Sequence, residues 1–479
     1  MELEAALRNH MEVHWMEYTA DDADIPITEA SLIEKSAIIG RCGLELLSCG
    51  TGAWRVRSSM NTLSRELGVT CTVDIGLMSL TYNCFDGEEC VSQSLCLTNT
   101  GVNTSKLNRL EQFVADFPTK GIFMTGSELH AALDDIEHIH GLYSPAKLGL
   151  AAALACGGFT FLLGGGLPEM LLAFCGAGIG NAVRCKLIKH HYTLFMNVSV
   201  SVAAACLTYT ILLRLAQLLF GLAPIHEAGY ICAMLFIIPG FPFITSGIDL
   251  AKLDLRSGLE RLSYALIIIL VATLSAWIMA LLFHLCPLDF EPLGLNAGEL
   301  IVCRLLASFC GVFGFSIMFN SPLPLAVTAA CIGAVANTFR LELVDFAAIP
   351  PAAAAFCGAA LSGLLASFLK TRVGYPRIAL TVPAIVIMVP GLYFYKGIYN
   401  LGIMSLSESA SWLASAILII MALPLGLIFA RILSDKSFRY CTYTSTVQTG
   451  EGTRLDFTGS LRMASVAGLP GPMPERLQM

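Results

Sequence analysis

Pro239-Gly240-Phe241-Pro242-Phe243 leads through an apolar run to Asp249-Leu250, and 151 positions later Pro390-Gly391-Leu392-Tyr393-Phe394 leads to Asn400-Leu401. Pro, Gly, Phe and Leu recur in register, and Asp gives way to its neutral near-isostere Asn. Both copies lie in apolar segments near the ~20 residues that cross a bilayer. Proline removes a backbone donor and glycine opens the backbone, so each copy reads as a broken or kinked membrane helix. Backbone groups freed at bilayer depth are tolerated only where protein or a water-filled cavity satisfies them. Matching interruptions in two halves of a chain point to a transporter's binding site.

Composition agrees. Of 479 residues, 55% are hydrophobic and 14% charged, with a mean hydropathy of +0.69; soluble domains carry about 25% charged residues. The chain reads as a polytopic α-helical membrane protein. A net charge of -7 argues against a nucleic-acid partner. Met1 to Tyr18 show no apolar signal region. The 17 cysteines are scattered without C-x-x-C or zinc-like spacing, and read as reduced apolar fillers.

Along the chain, residues 1–27 read as a flexible tail and 28–142 as a small cytosolic α/β domain. Helical periodicity covers 30–49, 57–67, 104–116 and 126–140, and strands are expected at 69–73, 77–82 and 91–97. Thr125 and Glu128 form an expected capping box. About ten apolar segments follow, near 146–166, 167–183, 194–222, 228–250, 262–285, 300–319, 322–339, 350–369, 376–400 and 408–433. Residues 434–479, rich in Ser, Thr, Gly and Pro, read as a disordered tail.

A second self-match sharpens the duplication. Leu167-Pro168, Ala173, Cys175, Asn181 and Arg184 recur 156 positions later as Leu323-Pro324, Ala329, Cys331, Asn337 and Arg340, and Gly158-Phe159 recurs as Gly314-Phe315. The halves, 146–285 and 300–433, then hold five spans each. An odd number of spans inverts the second half, giving two inverted five-helix repeats. With the N-terminus inside, the inner loops and tail hold twelve basic residues, namely Arg184, Lys186, Lys189, Lys252, Arg256, Arg261, Lys370, Arg372, Arg377, Arg431, Lys436 and Arg439. The outer loops hold four, namely Arg214, Arg304, Arg340 and Lys396. This asymmetry predicts cytosolic termini in the cell (inner) membrane.

The stretch from Pro239-Gly240 through Gly247-Ile248-Asp249-Leu250 to Ser257-Gly258 and Arg261-Leu262 resembles the threonine/serine exporter family, as does Gly52-Ala53-Trp54-Arg55-Val56. Pro383 and Val389-Pro390-Gly391 look like that family's C-terminal module. The resemblance covers about residues 30–433. It implies ten spans, a cytosolic N-terminal domain and export of small hydroxy amino acids driven by the proton motive force, with two modules fused that are separate polypeptides in some relatives. Some two-component relatives are linked to succinate export, which keeps a small dicarboxylate as an alternative substrate. The family's N-terminal domain has been likened to hydrolases, and a membrane-anchored hydrolase is the rival reading. No G-x-S-x-G, H-E-x-x-H or P-loop is present to support it.

Asp249 is the sharpest site residue, as a proton carrier or a partner for the substrate ammonium. Its blander reading is an interfacial carboxylate paired with Lys252. Pro239, Gly240, Pro390 and Gly391 are expected to shape an unwound substrate site, or else mere packing kinks. Thr245 and Ser246 are placed to bond a substrate hydroxyl, or their own helix backbone. Asn181 and Asn337 sit one turn before Arg184 and Arg340, as carboxylate ligands or as neighbours of lipid-facing arginines. Asn400 is the non-titrating counterpart of Asp249, Glu169 is a second proton-coupling residue, and Asn320 marks a break. Arg55 and Arg57 read as an anion site or a solvated helix start. His138/His140 and His190/His191 lack metal-ligand spacing, so neither metal nor cofactor is expected. The expected partners are substrate, protons and lipid; nothing opposes a homo-oligomer.

Overall fold

A computed structural model describes residues 13–15, 25–139, 141–287 and 289–435. The expected tails, and His140, lie largely or wholly outside the described residues. All described residues belong to one compact unit.

The N-terminal part begins with α1 (Leu32–Ser48), capped by the Ser31 side chain, and α2 (Ala53–Glu66). Strands β1 (Thr70–Ile75), β2 (Ser79–Phe85) and β3 (Cys90–Cys96) form an antiparallel sheet in that order. Helices α3 (Thr104–Asp116) and α4 (Gly126–Glu137) complete it, and the Thr125/Glu128 capping box is present at α4. Period-two alternation puts Leu80, Tyr82 and Cys84 on the buried face of β2. They join Ile38, Leu46, Leu63, Leu107 and Leu129 in a core separate from the main membrane cluster. The Tyr82 hydroxyl lies 2.9 Å from Ser36 O and 2.6 Å from Gln93 Oε1, with its one proton between these acceptors, so the buried ring keeps its polar tip satisfied.

Arg41, also buried, fastens α1 to α4: it donates to His130 O (3.1 Å) and Glu137 Oε2 (2.8 Å) and pairs with Asp134.

Beyond Ser144 come α5 (Pro145–Leu162), α6 (Leu167–Lys189) and α7 (Leu194–Phe220). After them follow the short α8 (Gly229–Ala233), α9 (Gly240–Ala251) and α10 (Leu255–Phe283). The order repeats as α11 (Ala297–Met318), α12 (Leu323–Asp345), α13 (Pro351–Val373), α14 (Arg377–Val386), α15 (Gly391–Gly402) and α16 (Leu406–Ser434). Among the described residues eight helices are long and apolar enough to cross a membrane, or ten if each bent pair is one span. The pairs bend by 57° (Ile225–Ile237 with Gly240–Ala251) and 47° (Arg377–Val386 with Gly391–Gly402). The protein is a polytopic helical membrane protein. The segment 228–250 is less regular than one kinked helix, because its first part is a chain of 3-10 and α turns.

Backbone detail recurs between the halves. Left-handed residues Gly164 (φ 100) and Asn320 (φ 58) close the first hairpin of each, and Leu253 (φ 63) and Met404 (φ 64) the last. A Cβ on Gly158 would stand 2.6 Å from Ala307 O, and one on Gly314 would meet Ala151 O. Only glycine lets α5 and α11 approach so closely, the small-residue packing usual between membrane helices.

The N-terminal part seats on one end of the helices. Thr104 N donates to Phe319 O (3.0 Å), Thr104 and Ser321 share a hydroxyl bond (2.7 Å), and Leu77 N donates to Glu260 Oε2 (2.6 Å). The α11–α12 and α9–α10 turns therefore lie at this near end. From Leu255 the 29 residues of α10 run about 44 Å to the far end. There the segment after Phe283 meets Gly164, Lys396 bonds Asp289 (2.6 Å), and Gly402 packs on Trp277.

Burial and the neighbouring Arg41 push the His130 imidazole down from 6.5 to about 4, against a smaller opposing pull from Asp134. A histidine depressed in the folded state contributes stability that is complete above its unfolded pKa. Melting of the full-length chain at the α1–α4 joint is expected to weaken as pH falls from about 6.5 towards 4. His130→Gln should flatten that dependence; an unchanged slope would show that His130 does not set it.

Candidate functional site

Each membrane half is interrupted by one proline held in the same geometry: Pro239 at φ -80, ψ 59 and Pro390 at φ -81, ψ 58. These angles are an inverse γ-turn, which the ring's fixed φ favours. The turn is closed by Gly240 N to Ile238 O (2.8 Å) and by Gly391 N to Val389 O (2.9 Å). Helices α9 and α15 then restart, with Phe243 N bonding Pro239 O (3.1 Å) and Phe394 N bonding Pro390 O (3.2 Å). The two breaks face each other. A Cβ on Gly240 would strike Val386 and Val389, and one on Gly391 would come within 2.8 Å of Ile238 and 3.1 Å of Leu235. Across the same seam Phe243 stacks on Phe394 (5.7 Å, 8°), and the buried hydroxyls of Tyr230 and Tyr395 meet at 2.5 Å.

Asp249 lies at the near end, fully buried, on the face of α9 that meets the N-terminal part. Ala53 N donates to both its oxygens (3.1 and 3.2 Å), Ser257 Oγ donates to Oδ2 (2.9 Å), and Arg261 Nε stands 3.3 Å from Oδ2. Arg261, 2% exposed, spends its other nitrogens on Gly50 O (3.1 Å) and Thr51 O (2.7 Å). The partner of Asp249 is thus Arg261. Lys252 instead lies 5.6 Å over the Trp54 ring. The turn through Leu253, left-handed, folds α10 back so that a residue twelve positions on reaches the carboxylate. Asp249 and Arg261 together bolt the α9–α10 elbow to the Gly50–Ala53 turn.

The remaining expected residues are dispersed. Thr245 donates to Phe241 O (3.0 Å) of its own helix, and Ser246 donates to Gly258 O (2.7 Å) on α10. Asn400 donates to Lys396 O (2.9 Å), the backbone of its own helix. Asn181 ties α6 to α5 through Leu148 O (2.9 Å), and Asn337 ties α12 to α11 through Ser308 Oγ (2.9 Å). Asn320 reaches Leu142 N (2.7 Å) and Asn103 Oδ1 (3.0 Å), joining the near end to the N-terminal part. Pro239, Gly240, Pro390 and Gly391 meet at the seam; the asparagines do not join them.

At the far end Glu169 is buried, with Oε1 2.5 Å from His226 Nδ1 and Oε2 without a hydrogen-bond partner among the described residues. Tyr209 donates to His226 O (2.6 Å) and fixes this turn. A cavity of ≈ 470 Å³ opens at the same end and reaches Ile231 and Leu392, beside the breaks, with Lys396, Asp289, Arg304 and Asp345 on its walls. That size suits a small solute, and the mixed charges suit a zwitterion. Sequence reasoning missed Tyr230, Tyr395 and His226 because they hold no equivalent positions in the two halves, and Arg261 because an arginine beginning an apolar run reads as interfacial.

Removing one partner of a buried ion pair leaves a charge uncompensated and costs about 3–5 kcal/mol. Arg261→Gln is expected to raise amide exchange at Thr51 and Ala53 at least ten-fold. Asp249→Asn, which keeps an acceptor for Ala53 N, should raise it less, and the double variant should recover part of the loss. Equal protection in wild type and Arg261→Gln would show that the pair does not hold the joint.

A family model for threonine/serine exporters matches residues 37–283, and a second, described as Threonine/Serine exporter, ThrE, matches residues 304–433. No curated protein and no solved structure matches the chain. The first match alone spans more than half of the polypeptide and contains the Gly50–Ala53 turn, the first break and the Asp249–Arg261 pair, while the second contains the other break. The chain belongs to the threonine/serine exporter family, with both matched regions in one polypeptide.

Proposed function

We propose that the protein exports threonine and serine across the cytoplasmic membrane by exchange with inward-moving protons. The observation that carries this reading is the mutual packing of two proline-locked helix breaks, one from each half. A family of transporters supplies the substrate class; the breaks supply a place where two bundles can part around it. Equivalent turns at opposite ends of the helices support reading the halves as inverted five-helix repeats. The near end, rich in arginine and carrying the N-terminal domain, is the cytosolic face, consistent with the positive-inside rule.

Access is one-sided in this arrangement. The ≈ 470 Å³ cavity enters from the far, external end, while Asp249, Arg261 and the Gly50–Ala53 turn close the other. Protonation of Asp249 weakens its hold on Arg261 and frees the turn, so proton binding and inner opening are linked. Glu169, with His226, exchanges protons at the external end. The substrate lies between the breaks, with Pro239, Gly240, Pro390 and Gly391 providing the backbone around it and Thr245, Ser246 and Asn400 on the helices that move.

Counterflow of labelled threonine in proteoliposomes tests the transport reading. Uptake competed by serine and not by succinate is expected. Asp249→Asn should keep exchange and lose accumulation driven by a pH gradient. Exchange of succinate alone would overturn the hydroxy-amino-acid assignment and leave a dicarboxylate exporter on the same architecture.

A further inference from the structure

A second, smaller cavity of ≈ 70 Å³ lies at the cytosolic joint, between the start of α2, the start of α14 and the end of α16. Three guanidiniums line it: Arg55, Arg377 and Arg431. Arg55 pairs with Glu111 on α3. Arg431 lies over the Trp54 ring, its Cζ 4.3 Å from the centroid, with Asp435 Oδ2 3.8 Å from its Nε. Arg377 donates to the neutral Ser434 hydroxyl, and its Nε is buried without a hydrogen-bond partner among the described residues. Asp249 also borders the cavity, but Arg261 already compensates it. Among the described residues Arg377 is the one of the three with no carboxylate at ion-pair distance, and it faces a space of about five water volumes.

Such a cation, a planar donor fork with an unused nitrogen, and room for few heavy atoms describe a receptor for one carboxylate. We propose that this cavity binds the carboxylate of a small cytosolic solute, with Arg377 and Arg431 as its ligands and Trp54 as the wall against which Arg431 rests. The solute class rests on the transport reading above: the carboxylate is that of the amino acid to be exported, met at the joint before the inner side opens. Because Gly52, Trp54 of α2 and Arg377 of α14 share the cavity, a bound carboxylate bears on both the N-terminal domain and the second half.

The test uses the full-length chain with Trp15, Trp277 and Trp412 replaced by Phe, so that emission reports Trp54 alone. At constant ionic strength, threonine and acetate should each give a saturable change and compete with one another, while threoninamide, which lacks the carboxylate, should give none. Arg377→Gln should weaken the response at least about ten-fold, and Arg377→Lys, which keeps the charge without the fork, should fall between. An equal response to threoninamide, or no saturable response to either carboxylate, overturns the site. A change produced by phosphatidylglycerol vesicles that threonine cannot displace also overturns it, in favour of a lipid headgroup. Counterflow without a Trp54 response removes this site and leaves the transport reading standing; a Trp54 response without counterflow does the reverse.

Discussion

A membrane interior offers no water to a backbone that leaves its helix, and the rest of this structure depends on how two such departures are satisfied. Each break is held in an inverse γ-turn that returns the glycine amide to the carbonyl two residues back. Proline supplies the required φ and contributes no donor needing a partner, so the chain bends sharply at small cost. Glycine then admits the opposite half: Gly240 accepts Val386 and Val389, and Gly391 accepts Ile238 and Leu235. The break that weakens one helix is thereby the surface on which the other half rests.

Polar chemistry is sorted to the two ends of this seam. Inside, the breaks are framed by aromatic and aliphatic side chains, with the Tyr230–Tyr395 hydroxyl pair as a polar link between halves. At the near end a buried carboxylate and a buried guanidinium are tied to backbone groups of the N-terminal part. Such a pair adds little net stability over an apolar replacement, yet losing one partner leaves a buried charge uncompensated. Its bonds cross an interface, so a change at Asp249 acts on a contact rather than on a core.

Much of this was legible in local chemistry. Proline and glycine at 239–240 and 390–391 act through their own backbones, so the breaks could be placed without knowing any neighbour. The same holds for the Thr125/Glu128 box and for α3, whose periodicity matches Thr104–Asp116 end to end. What was not legible depends on chain reversal. Lys252 is the nearest cation to Asp249 in sequence, yet the left-handed Leu253 turns the chain and delivers Arg261 instead. Asn181 and Asn337 match in register because they do the same packing work in each half, donating from the second helix to the first. Repetition marked them as structural as readily as functional.

The two halves differ at the positions that close the ends of the seam. Asp249 and Asn400 occupy equivalent positions at opposite ends, and Arg261 corresponds to Trp412. An ion pair that locks the near end therefore has no copy at the far end, where a cavity reaches toward the seam. Two bundles with identical breaks and identical locks would open alike at both ends. With the Asp249–Arg261 pair at one end alone, a change at that pair acts on a single closure, and a ligand can shift such an equilibrium only through interactions that differ between the two states. The seam itself is nearly symmetric in its backbone, and the difference between its two ends comes down to the residues at 249 and 400 and at 261 and 412.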